Sequence, residues 1–421
     1  MLDLRLIRRS PDEVRVALAR RGPQAAERLD EVLGLDAAWR EATQAAEALR
    51  AEQKAASDEV ASGKREGRDV AAQLDRLKTL SGEVKALGEQ ARVADAQLQE
   101  VLRLLPNVPD PTAAEPADEV LRVVGDASKT GRDHLELAGE RIDTERGARL
   151  SGARFAYLRG DLAMLELALV QWTLTKLRGH GFEPVFPPVL VREQALYGTG
   201  FLPDTEQQIY HLPADDLYLV GTSEVALASL HAGEILDASQ LPLRYAGFSP
   251  CFRREAGSAG RDTRGIFRVH QFDKVEMFAF VEPSASADEH ERILAIEEEI
   301  LGDLEIPYRV VNIAVNDLGA SAAKKYDVEA WLPGQGRYRE LTSASNTTDF
   351  QARRLEIRMR GEGGRPEVVH TLNGTAVAVG RTLIALLENG QRDDGSIALP
   401  AVLGPFGAPA VLPAADGPAS G

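Results

Sequence analysis

Apolar residues recur at alternating steps of three and four between about residue 29 and residue 105, which places them along one side of an α-helix. Two such runs are separated by Ser62–Gly67, whose glycines can turn a chain. This pattern predicts an antiparallel helical hairpin with arms of about 30 residues, or roughly 45 Å at ~1.5 Å per residue. The runs consist of Val32, Leu35, Trp39, Ala42, Ala46, Leu49, Ala56 and Val60, then Val70, Leu74, Leu77, Leu80, Val84, Leu87, Ala91, Ala94, Leu98, Val101 and Leu105.

A hairpin of this length is too long to fold back over a compact domain, so we expect it to project. The pattern fits two interpretations: a structural or dimerising coiled coil, or an arm that holds a large ligand. Residues 1–26 precede it and read as a short capped segment, with Ser10 as an N-cap and Pro11 at the first helical position.

A domain boundary is predicted within 106–118, because the prolines between Pro106 and Pro116 stop any helix. Residues 1–105 then form an N-terminal domain and 119–403 a second domain. The second domain reads as α+β, and the scarcity of helices between its β-like runs favours an antiparallel sheet. Helices are predicted at 158–177 and 376–388, and strands at 184–191, 217–220, 243–253, 265–281, 308–315, 326–332 and 367–371. The tail 404–421, rich in proline, alanine and glycine, is predicted to be disordered.

Composition narrows the class of protein. Acidic residues number 65 and basic residues 49, which gives a net charge of −16 and argues against nonspecific coating of nucleic acid. A local basic patch remains compatible with that charge. The single cysteine, Cys251, excludes a disulfide framework and a cysteine-rich zinc site, and no zinc is expected. No apolar run reaches the ~20 residues of a membrane span and no charged-then-apolar leader opens the chain, so the expected compartment is the cytoplasm.

The common nucleotide and nucleophile motifs are missing from the sequence: it has no Walker loop, no G-x-G-x-x-G between a strand and a helix, and no G-x-S-x-G. The unusual stretch is 249–281, where two β-like runs flank a loop rich in glycine, serine and arginine. Guanidinium groups crowded this closely repel one another unless an anion arrives, and their forks suit phosphate and carboxylate. A solvated loop with internal ion pairs is the alternative. The five arginines are Arg253, Arg254, Arg261, Arg264 and Arg268.

Several segments carry a resemblance to a known family. Phe252-Arg-Arg-Glu-Ala-Gly257, with Arg268-Val-His-Gln-Phe-Asp-Lys-Val-Glu276, resembles motif 2 of the class II aminoacyl-tRNA synthetases in the form found in seryl-tRNA synthetases. Gly181–Val191 resembles motif 1, with Pro188 as its proline, and Leu372–Thr382 resembles motif 3. The Thr222-Ser-Glu224 and Arg339–Asn346 segments, and the long hairpin, also fit this family over about residues 1–403.

The resemblance implies an α+β catalytic domain with an antiparallel sheet, and an ATP- and Mg²⁺-dependent ligase that joins serine to tRNA(Ser). It implies that Arg253 bridges the serine carboxylate and the α-phosphate, that Arg381 meets the γ-phosphate, and that Glu340 and Ser343 hold Mg²⁺. Glu255 would read the adenine amino group, Phe272 would stack on the base and Val269 would supply backbone contacts. Arg253, Arg381 and Glu340 are the implied catalytic residues. The implied ATP-binding set is Arg253, Arg254, Glu255, Val269, Phe272, Glu340, Leu341, Thr342, Ser343 and Arg381. The implied serine-binding set is Thr222, Ser223, Glu224, Arg253, Glu276 and Thr375, with Glu276 and Thr375 at the hydroxyl and Thr222 and Glu224 at the ammonium group.

The family also implies partners. The hairpin would grip tRNA(Ser), with phosphate contacts from Lys64, Arg65, Arg68, Arg76, Lys78 and Lys85. Two chains would pair through motif 1 around Pro188. Charging of tRNA(Sec) stays open. Two other functions also stay open: an RNA-binding paralogue without catalysis, and a related enzyme that charges a carrier protein or small molecule. The sequence departs from the family at Leu403-Gly-Pro-Phe406, where Leu-Arg-Pro-Tyr is expected.

Overall fold

The computed structural model describes residues 1–203, 208–256, 262, 264–361 and 363–415. These divide into two compact units, Met1–Val108 and Pro109–Gly421. The helices are α1 (Leu4–Arg9), α2 (Pro11–Ala19), α3 (Pro23–Arg65), α4 (Ala71–Leu104), α5 (His134–Ala138), α6 (Thr144–Ser151), α7 (Asp161–Gly179), α8 (Glu193–Thr199), α9 (Glu224–Ala228), α10 (Ser286–Asp303), α11 (Phe350–Arg354) and α12 (Val379–Asn389). The strands are β1 (Glu119–Val124), β2 (Ile142–Asp143), β3 (Tyr157–Leu158), β4 (Glu183–Val185), β5 (Leu190–Val191), β6 (Tyr210–Leu212), β7 (Leu217–Leu219), β8 (Ile235–Asp237), β9 (Leu243–Phe252), β10 (Gln271–Val281), β11 (Tyr308–Asn312), β12 (Lys324–Leu332), β13 (Arg337–Thr348), β14 (Arg358–Arg360), β15 (Pro366–Val368), β16 (His370–Ala378), β17 (Ile397–Ala398) and β18 (Val411–Leu412).

The first unit is the helical hairpin, formed by α3 and α4. α3 begins at Pro23, earlier than the sequence pattern indicated, because proline suits the first turn, where its missing N–H costs nothing. α3 continues through Ser62 and Gly63, so the turn lies at 66–70 rather than at 62–67. With 43 and 34 residues, the two helices run about 65 Å and 50 Å at ~1.5 Å per residue.

The base of the hairpin has its own core. α1 and α2 pack against α3 there, and the cluster contains Leu2, Ile7, Val14, Leu18, Ala25, Leu29, Val32, Leu98, Leu102 and Leu105. Asp36, only 1 % exposed, lies at the edge of this cluster. It accepts hydrogen bonds from Arg8 at 2.5–3.1 Å and from Arg40 Nε at 3.0 Å, so its buried charge is paired. The hydrogen bonds between Arg8 and Asp36 therefore connect α1 to α3.

The second unit is built on an eight-stranded sheet in the order β1-β11-β12-β13-β16-β10-β9-β4. Every neighbouring pair is antiparallel except β4 with β9. Helices α7, α10 and α12 cover the sheet with apolar side chains, and together they form the largest core cluster. The predicted fold class, an antiparallel catalytic sheet with an N-terminal helical arm, is confirmed.

Two irregularities in this sheet fall in the strands that carry candidate site residues. Between β10 and β16 the register passes from Val275↔Val377 to Glu276↔Thr375, so Ala376 has no opposite residue. Between β12 and β13 it passes from Val328↔Thr342 to Glu329↔Glu340, which leaves Leu341 without one. Such bulges change the face to which the following side chains point.

Some predicted elements differ from the structure. β10 begins at Gln271 rather than 265, and 376–378 close a strand before α12 starts at Val379. β13 and α10 were missed by the sequence pattern. The prediction of a disordered tail from 404 is wrong for 404–415: β18 pairs with β17, and Ala408 and Leu412 are buried, so this segment has apolar anchors that its proline and glycine content concealed. Residues 416–421 lie outside the described ranges.

Candidate active site

One cleft of about 900 Å³, its open mouth included, lies over β10, β13 and β16 and the start of α12. It collects nearly all the side chains that the sequence singled out. Thirteen of them line it: Thr222, Glu224, Arg253, Glu255, Val269, Phe272, Glu276, Glu340, Leu341, Thr342, Ser343, Thr375 and Arg381. Arg268, one of the five arginines of the loop, lines it as well, and so do Phe267, Lys274 and Asn373, to which the sequence analysis had assigned no role.

Two residues expected at the site do not line this cleft. Ser223 precedes α9 and is completely buried, with its hydroxyl donating to the Gly247 carbonyl at 3.4 Å. The Arg254 guanidinium lies over the ring of Tyr210, 5.9 Å from its centroid. Of the remaining loop arginines, Arg264 is exposed and Arg261 lies outside the described residues.

The deepest part of the cleft contains a buried carboxylate, Glu224. Its Oε1 accepts hydrogen bonds from Gln351 Nε2 at 2.8 Å and from Asn373 Nδ2 at 3.0 Å. Burial raises the pKa of Glu224 to about 7, and the charge of Glu276 adds to the increase, while Gln351, Lys274 and Arg253 oppose it. A carboxylate so placed can receive an ammonium group.

Beside Glu224 lies a second polar group, made by alternate residues of β10. Lys274 and Glu276 form an ion pair, and both are nearly buried. Lys274 Nζ also donates to Thr222 Oγ1 at 2.6 Å, and Thr375 Oγ1 lies 3.5 Å from Glu276 Oε2. Spacing i, i+2 in a strand puts Lys274 on the same face as Glu276, so the sequence contains a signal for Lys274 as well.

The cleft also has two basic side chains, Arg253 and Arg381. Arg253 lies over the Phe272 ring at 5.3 Å, and its Nε donates to the Gly221 carbonyl at 3.1 Å. Arg381 donates from Nη1 to the Glu340 carbonyl at 3.0 Å, and the same nitrogen lies 3.6 Å from Glu340 Oε1. Desolvation lowers the pKa of Arg381. Two guanidinium groups in one cleft, Arg253 and Arg381, favour a ligand with more than one negative charge.

Phe267, which lines the cleft, contacts two arginines. The guanidinium groups of Arg339 and Arg381 both lie over its ring, 3.7 and 4.6 Å from the centroid. Arg339 is held in turn by two hydrogen bonds to Asp262, at 2.9 and 2.6 Å. Arg268 Nη1 donates to Glu255 Oε2 at 2.7 Å, so the carboxylate expected to read the adenine is already oriented by a neighbour.

Glu340 and Ser343 are the candidate metal ligands. They are three apart in β13, and the bulge at Leu341 lets both line the cleft. Burial works against ionisation of Glu340, but Arg381, Lys325, Arg253 and Arg268 together hold its pKa below the ordinary value, so it is a carboxylate at neutral pH. Within the described ranges, no group of three His, Cys, Asp or Glu side chains could hold an ion alone. One carboxylate and one hydroxyl fit Mg²⁺ only if a ligand supplies further oxygens.

Comparison with known proteins agrees with this architecture. Residues 210–390 match the family model "tRNA synthetase class II core domain (G, H, P, S and T)", which defines the class of the fold and cleft. Residues 1–109 match "Seryl-tRNA synthetase N-terminal domain".

Relatives match nearly the whole chain. "Serine--tRNA ligase" of Thermobifida fusca is 51 % identical over 415 residues, which cover 96 % of this chain and 97 % of that protein. The protein of the same name from Acidothermus cellulolyticus is 53 % identical over 413 residues, with the same coverage. Seryl-tRNA synthetase from Pyrococcus horikoshii, solved in complex with ATP, superposes with a TM-score of 0.94 at 40 % identity over 98 % of this chain and 100 % of that one. The chain therefore belongs to the seryl-tRNA synthetase family, and the predicted family and class of enzyme are confirmed.

No described helix is both long enough and apolar enough to pass through a lipid bilayer.

Proposed function

We propose that the chain is a serine–tRNA ligase that forms seryl-adenylate in this cleft and then charges tRNA(Ser). In the first step a serine carboxylate oxygen bonds to the α-phosphorus of ATP, and the bond to the bridging oxygen breaks as pyrophosphate leaves. In the second step a ribose hydroxyl of the terminal adenosine attacks the seryl carbonyl, and AMP leaves. Such chemistry depends on positioning and charge more than on a covalent catalyst.

One observation carries the proposal: Arg253, Arg381 and the buried carboxylates Glu224 and Glu276 line a single cleft. A zwitterionic amino acid and a polyphosphate can be bound side by side in such a cleft. The charge of Arg253 influences both Glu224 and Glu340, so this guanidinium group is near enough to both to contact the serine carboxylate and the α-phosphate. Arg381 would meet the γ-phosphate side, and its contact with Glu340 keeps the guanidinium in place until the nucleotide binds.

The nucleotide base has candidate partners in the same cleft. Phe272 offers a ring for stacking, Glu255 an acceptor for the adenine amino group and Val269 its backbone. Leu341 and Thr342 would complete the nucleotide contacts, together with Arg254 once a ligand is bound. The ATP in the Pyrococcus horikoshii relative supports this assignment.

Glu340 and Ser343 are proposed to hold Mg²⁺ against the phosphates. Carboxylate and hydroxyl oxygens are donors that Mg²⁺ accepts, and phosphate oxygens would supply the ligands that the protein lacks. When bound, the ion would neutralise charge on the leaving pyrophosphate. The protein's own contribution is to keep Glu340 ionised through the surrounding basic groups.

The serine hydroxyl is proposed to be read by Glu276 and Thr375. A site that hydrogen-bonds a hydroxyl rejects alanine strongly, because buried partners would then be unpaired. Threonine would be rejected by crowding around Thr375.

The N-terminal domain, 1–105, is proposed to bind tRNA(Ser) through the hairpin, with 106–118 as the linker and 119–403 as the catalytic domain. Support comes from the match of residues 1–109 to the seryl-tRNA synthetase N-terminal domain. Lys64, Arg65 and Arg68 lie at the tip and are exposed. A homodimer through motif 1 around Pro188 and a cytoplasmic location complete the proposal.

The test is serine-dependent exchange of labelled pyrophosphate into ATP, with threonine and alanine alongside. We expect exchange with serine and at least a hundredfold less with alanine, since an unpaired buried partner penalises the smaller substrate by about this factor or more. A folded sample that exchanges no pyrophosphate with serine would refute the ligase and favour an RNA-binding role. Exchange without charging of tRNA(Ser) would favour a small-molecule or carrier-protein acceptor.

A further inference from the structure

Arg339 comes directly before Glu340 in β13, and no role has yet been given to it. Its side chain is 13 % exposed, and its guanidinium group makes two hydrogen bonds to the Asp262 carboxylate, from Nη1 at 2.9 Å and from Nη2 at 2.6 Å. Nη1 also donates to Gln335 Oε1 at 2.5 Å, in the turn between β12 and β13. Arg339 is therefore held by two neighbours, and it is not one of the described residues that line the cleft. The inference developed from these contacts rests on the proposed function.

The ion pair of Arg339 with Asp262 satisfies the charge of both groups. The hydrogen bonds from Arg339 hold the pKa of Asp262 below its usual value, although burial opposes this, so Asp262 is a carboxylate at neutral pH. Two other basic groups lie farther from the same carboxylate, Arg268 Nε at 3.7 Å and Arg337 Nη2 at 4.0 Å. A bidentate pair fixes the plane of a guanidinium group as well as its position. Arg339 is thus a rigid support for whatever packs on that plane.

The residue that packs on the guanidinium plane of Arg339 is Phe267. Arg339 Cζ lies 3.7 Å from the centroid of the ring, well inside the ~6 Å within which a cation and an aromatic face attract each other. Only 6 % of Phe267 is exposed, and it lines the cleft. Arg339 therefore supports the position of a ring in the cleft without lining the cleft itself.

Phe267 in turn contacts Arg381, the basic residue proposed to meet the γ-phosphate. Arg381 Cζ lies 4.6 Å from the centroid of the same ring, and Arg381 Nε donates to the Phe267 carbonyl oxygen at 3.4 Å. A further hydrogen bond joins Arg381 Nη1 to the Glu340 carbonyl oxygen at 3.0 Å. A guanidinium group has five N–H donors, so among the described residues these contacts leave donors of Arg381 for phosphate oxygens. The position of Phe267 therefore decides where those donors point.

The two guanidinium groups over this ring have like charges, and each has a carboxylate partner. Asp262 pairs with Arg339, whereas Glu340 Oε1 lies 3.6 Å from Arg381 Nη1. Burial lowers the pKa of Arg381, and the charge of Arg339 is one of those that add to the decrease. Because Asp262 offsets the charge of Arg339 and occupies its donors, Arg381 is the member of the two that is available to an anion.

We propose that Arg339 is a positioning residue for ATP, which holds the Phe267 ring in place and thereby fixes Arg381 where it meets the γ-phosphate. Arg339 acts through Phe267 and does not touch the nucleotide. Its removal therefore weakens the contact with the γ-phosphate and leaves the contacts with the adenine, the α-phosphate and serine unchanged. Affinity for ATP should fall, and affinity for AMP, which lacks the γ-phosphate, should not.

The test measures Kd for ATP and for AMP by calorimetric titration, with Mg²⁺ present and serine absent so that no adenylate forms. The proteins are the unaltered chain, Arg339→Met, Phe267→Leu and the double variant. A hydrogen bond to a charged group accounts for about 10- to 150-fold in an equilibrium at 25 °C, so misplacement of Arg381 should raise Kd for ATP at least about fivefold, with Kd for AMP within about twofold. In the double variant the two losses should overlap rather than multiply, because Arg339 acts through the ring.

Pyrophosphate exchange gives a second readout. Arg339→Met should raise the KM for ATP by a similar factor and leave the KM for serine within about twofold. A general loosening of the cleft would raise both KM values, so this comparison separates positioning of Arg381 from a loss of structure.

Arg309→Met is the matched control. Arg309 pairs with Glu329 and lies over the ring of Tyr338, 4.8 Å from its centroid, so it repeats the arrangement of Arg339 within the same sheet. Tyr338 precedes Arg339 in β13, and successive side chains of a strand point to opposite faces. Arg309→Met should lower the Tm and leave the preference for ATP over AMP unchanged. If Arg339→Met does not fold, Phe267→Leu carries the test, since it removes the stacked ring and should lower the same preference.

The proposal is overturned if Arg339→Met weakens binding of ATP and AMP equally or weakens neither, or if Phe267→Leu leaves the preference for ATP unchanged. It is also overturned if the unaltered protein binds ATP no more tightly than AMP, if the losses in the double variant multiply, or if Arg309→Met lowers the preference as much as Arg339→Met. Absence of exchange with serine in an unaltered protein that binds ATP is a separate result, which refutes the proposed function.

Discussion

The pH dependence of serine activation follows from the surroundings of Glu224. Its pKa is raised to about 7 by burial and by the charge of Glu276, and the carboxylate is the form that binds an ammonium group. With that pKa the ionised fraction falls from about nine-tenths at pH 8 to about one-tenth at pH 6. We therefore expect kcat/KM for serine to fall about tenfold over this range.

The variant Gln351→Met tests whether the pH dependence comes from Glu224. Gln351 donates to Glu224 Oε1 at 2.8 Å and so favours the ionised form. A hydrogen bond to a charged group contributes ~1.5–3 kcal/mol, and one pKa unit corresponds to ~1.4 kcal/mol, so its loss should move the midpoint about one to two units upwards. Methionine keeps the length and the burial of the side chain.

The assay is pyrophosphate exchange at saturating ATP between pH 6 and pH 9, with kcat/KM for serine fitted at each pH. Thr371→Val is the control: its hydroxyl donates to Gln351 Oε1 at 3.0 Å, on the far side of the amide, so the midpoint should stay in place. Ionisation of ATP affects all three proteins equally. A profile that is flat from pH 6 to pH 8, or one with the same midpoint in the unaltered protein and in Gln351→Met, would refute the reasoning.

Three further predictions address the nucleotide end, the packing behind the site and the arm. Arg253→Ala should lower exchange at least a hundredfold, as expected for loss of a charged group that acts on the transition state, while the Tm measured by calorimetry stays within a few degrees. Gly374→Ala would place a Cβ 2.3 Å from Ile293 and 2.8 Å from Glu297 Oε1, so it should lower the free energy of unfolding by ~1–3 kcal/mol in urea titration. The control Gly302→Ala, with open space around it, should be neutral or stabilising. Equal effects of the two variants would contradict the packing argument. Replacing the basic residues at the hairpin tip with alanine should weaken tRNA charging, and reduce its salt dependence, without changing exchange; a fall in exchange would argue against separate roles for arm and cleft. Those residues are Lys64, Arg65 and Arg68.

The sequence was most informative where chemistry and pattern coincide. The heptad-like spacing predicted the hairpin because a coiled seam requires its apolar residues at those positions. The motif residues predicted most of the cleft lining, since a polyphosphate site needs guanidinium groups and carboxylates whatever the fold around them. Gly63 in α3 shows the limit of local signals: a glycine that could turn the chain lies inside a helix because packing of the two long helices continues past it.

The two bulges show what the sequence could not provide. Glu340 and Ser343 are three positions apart, as are Thr375 and Ala378, and an uninterrupted strand would put the members of each pair on opposite faces. The unpaired Leu341 and Ala376 bring both members of each pair to the cleft. A bulge depends on pairing with a distant strand, so alternation along one strand cannot reveal it. The ordered segment 404–415 was predicted to be disordered for a related reason. Its few apolar side chains stabilise it only when they are buried in the core of the folded domain.

The confinement of the first unit's apolar cluster to its base has a mechanical consequence. From residue 40 to residue 97, all of which the structure describes, the buried apolar side chains are Ala46, Ala56, Val60 and Leu80. Local opening of a helix requires little free energy where few apolar contacts hold it. The rate of amide hydrogen exchange should therefore rise from the base of the hairpin to its tip. The hairpin is then rigid at its base and more flexible in its outer half, which could adjust to the contour of the tRNA that we propose it binds while the packing at the base stays intact.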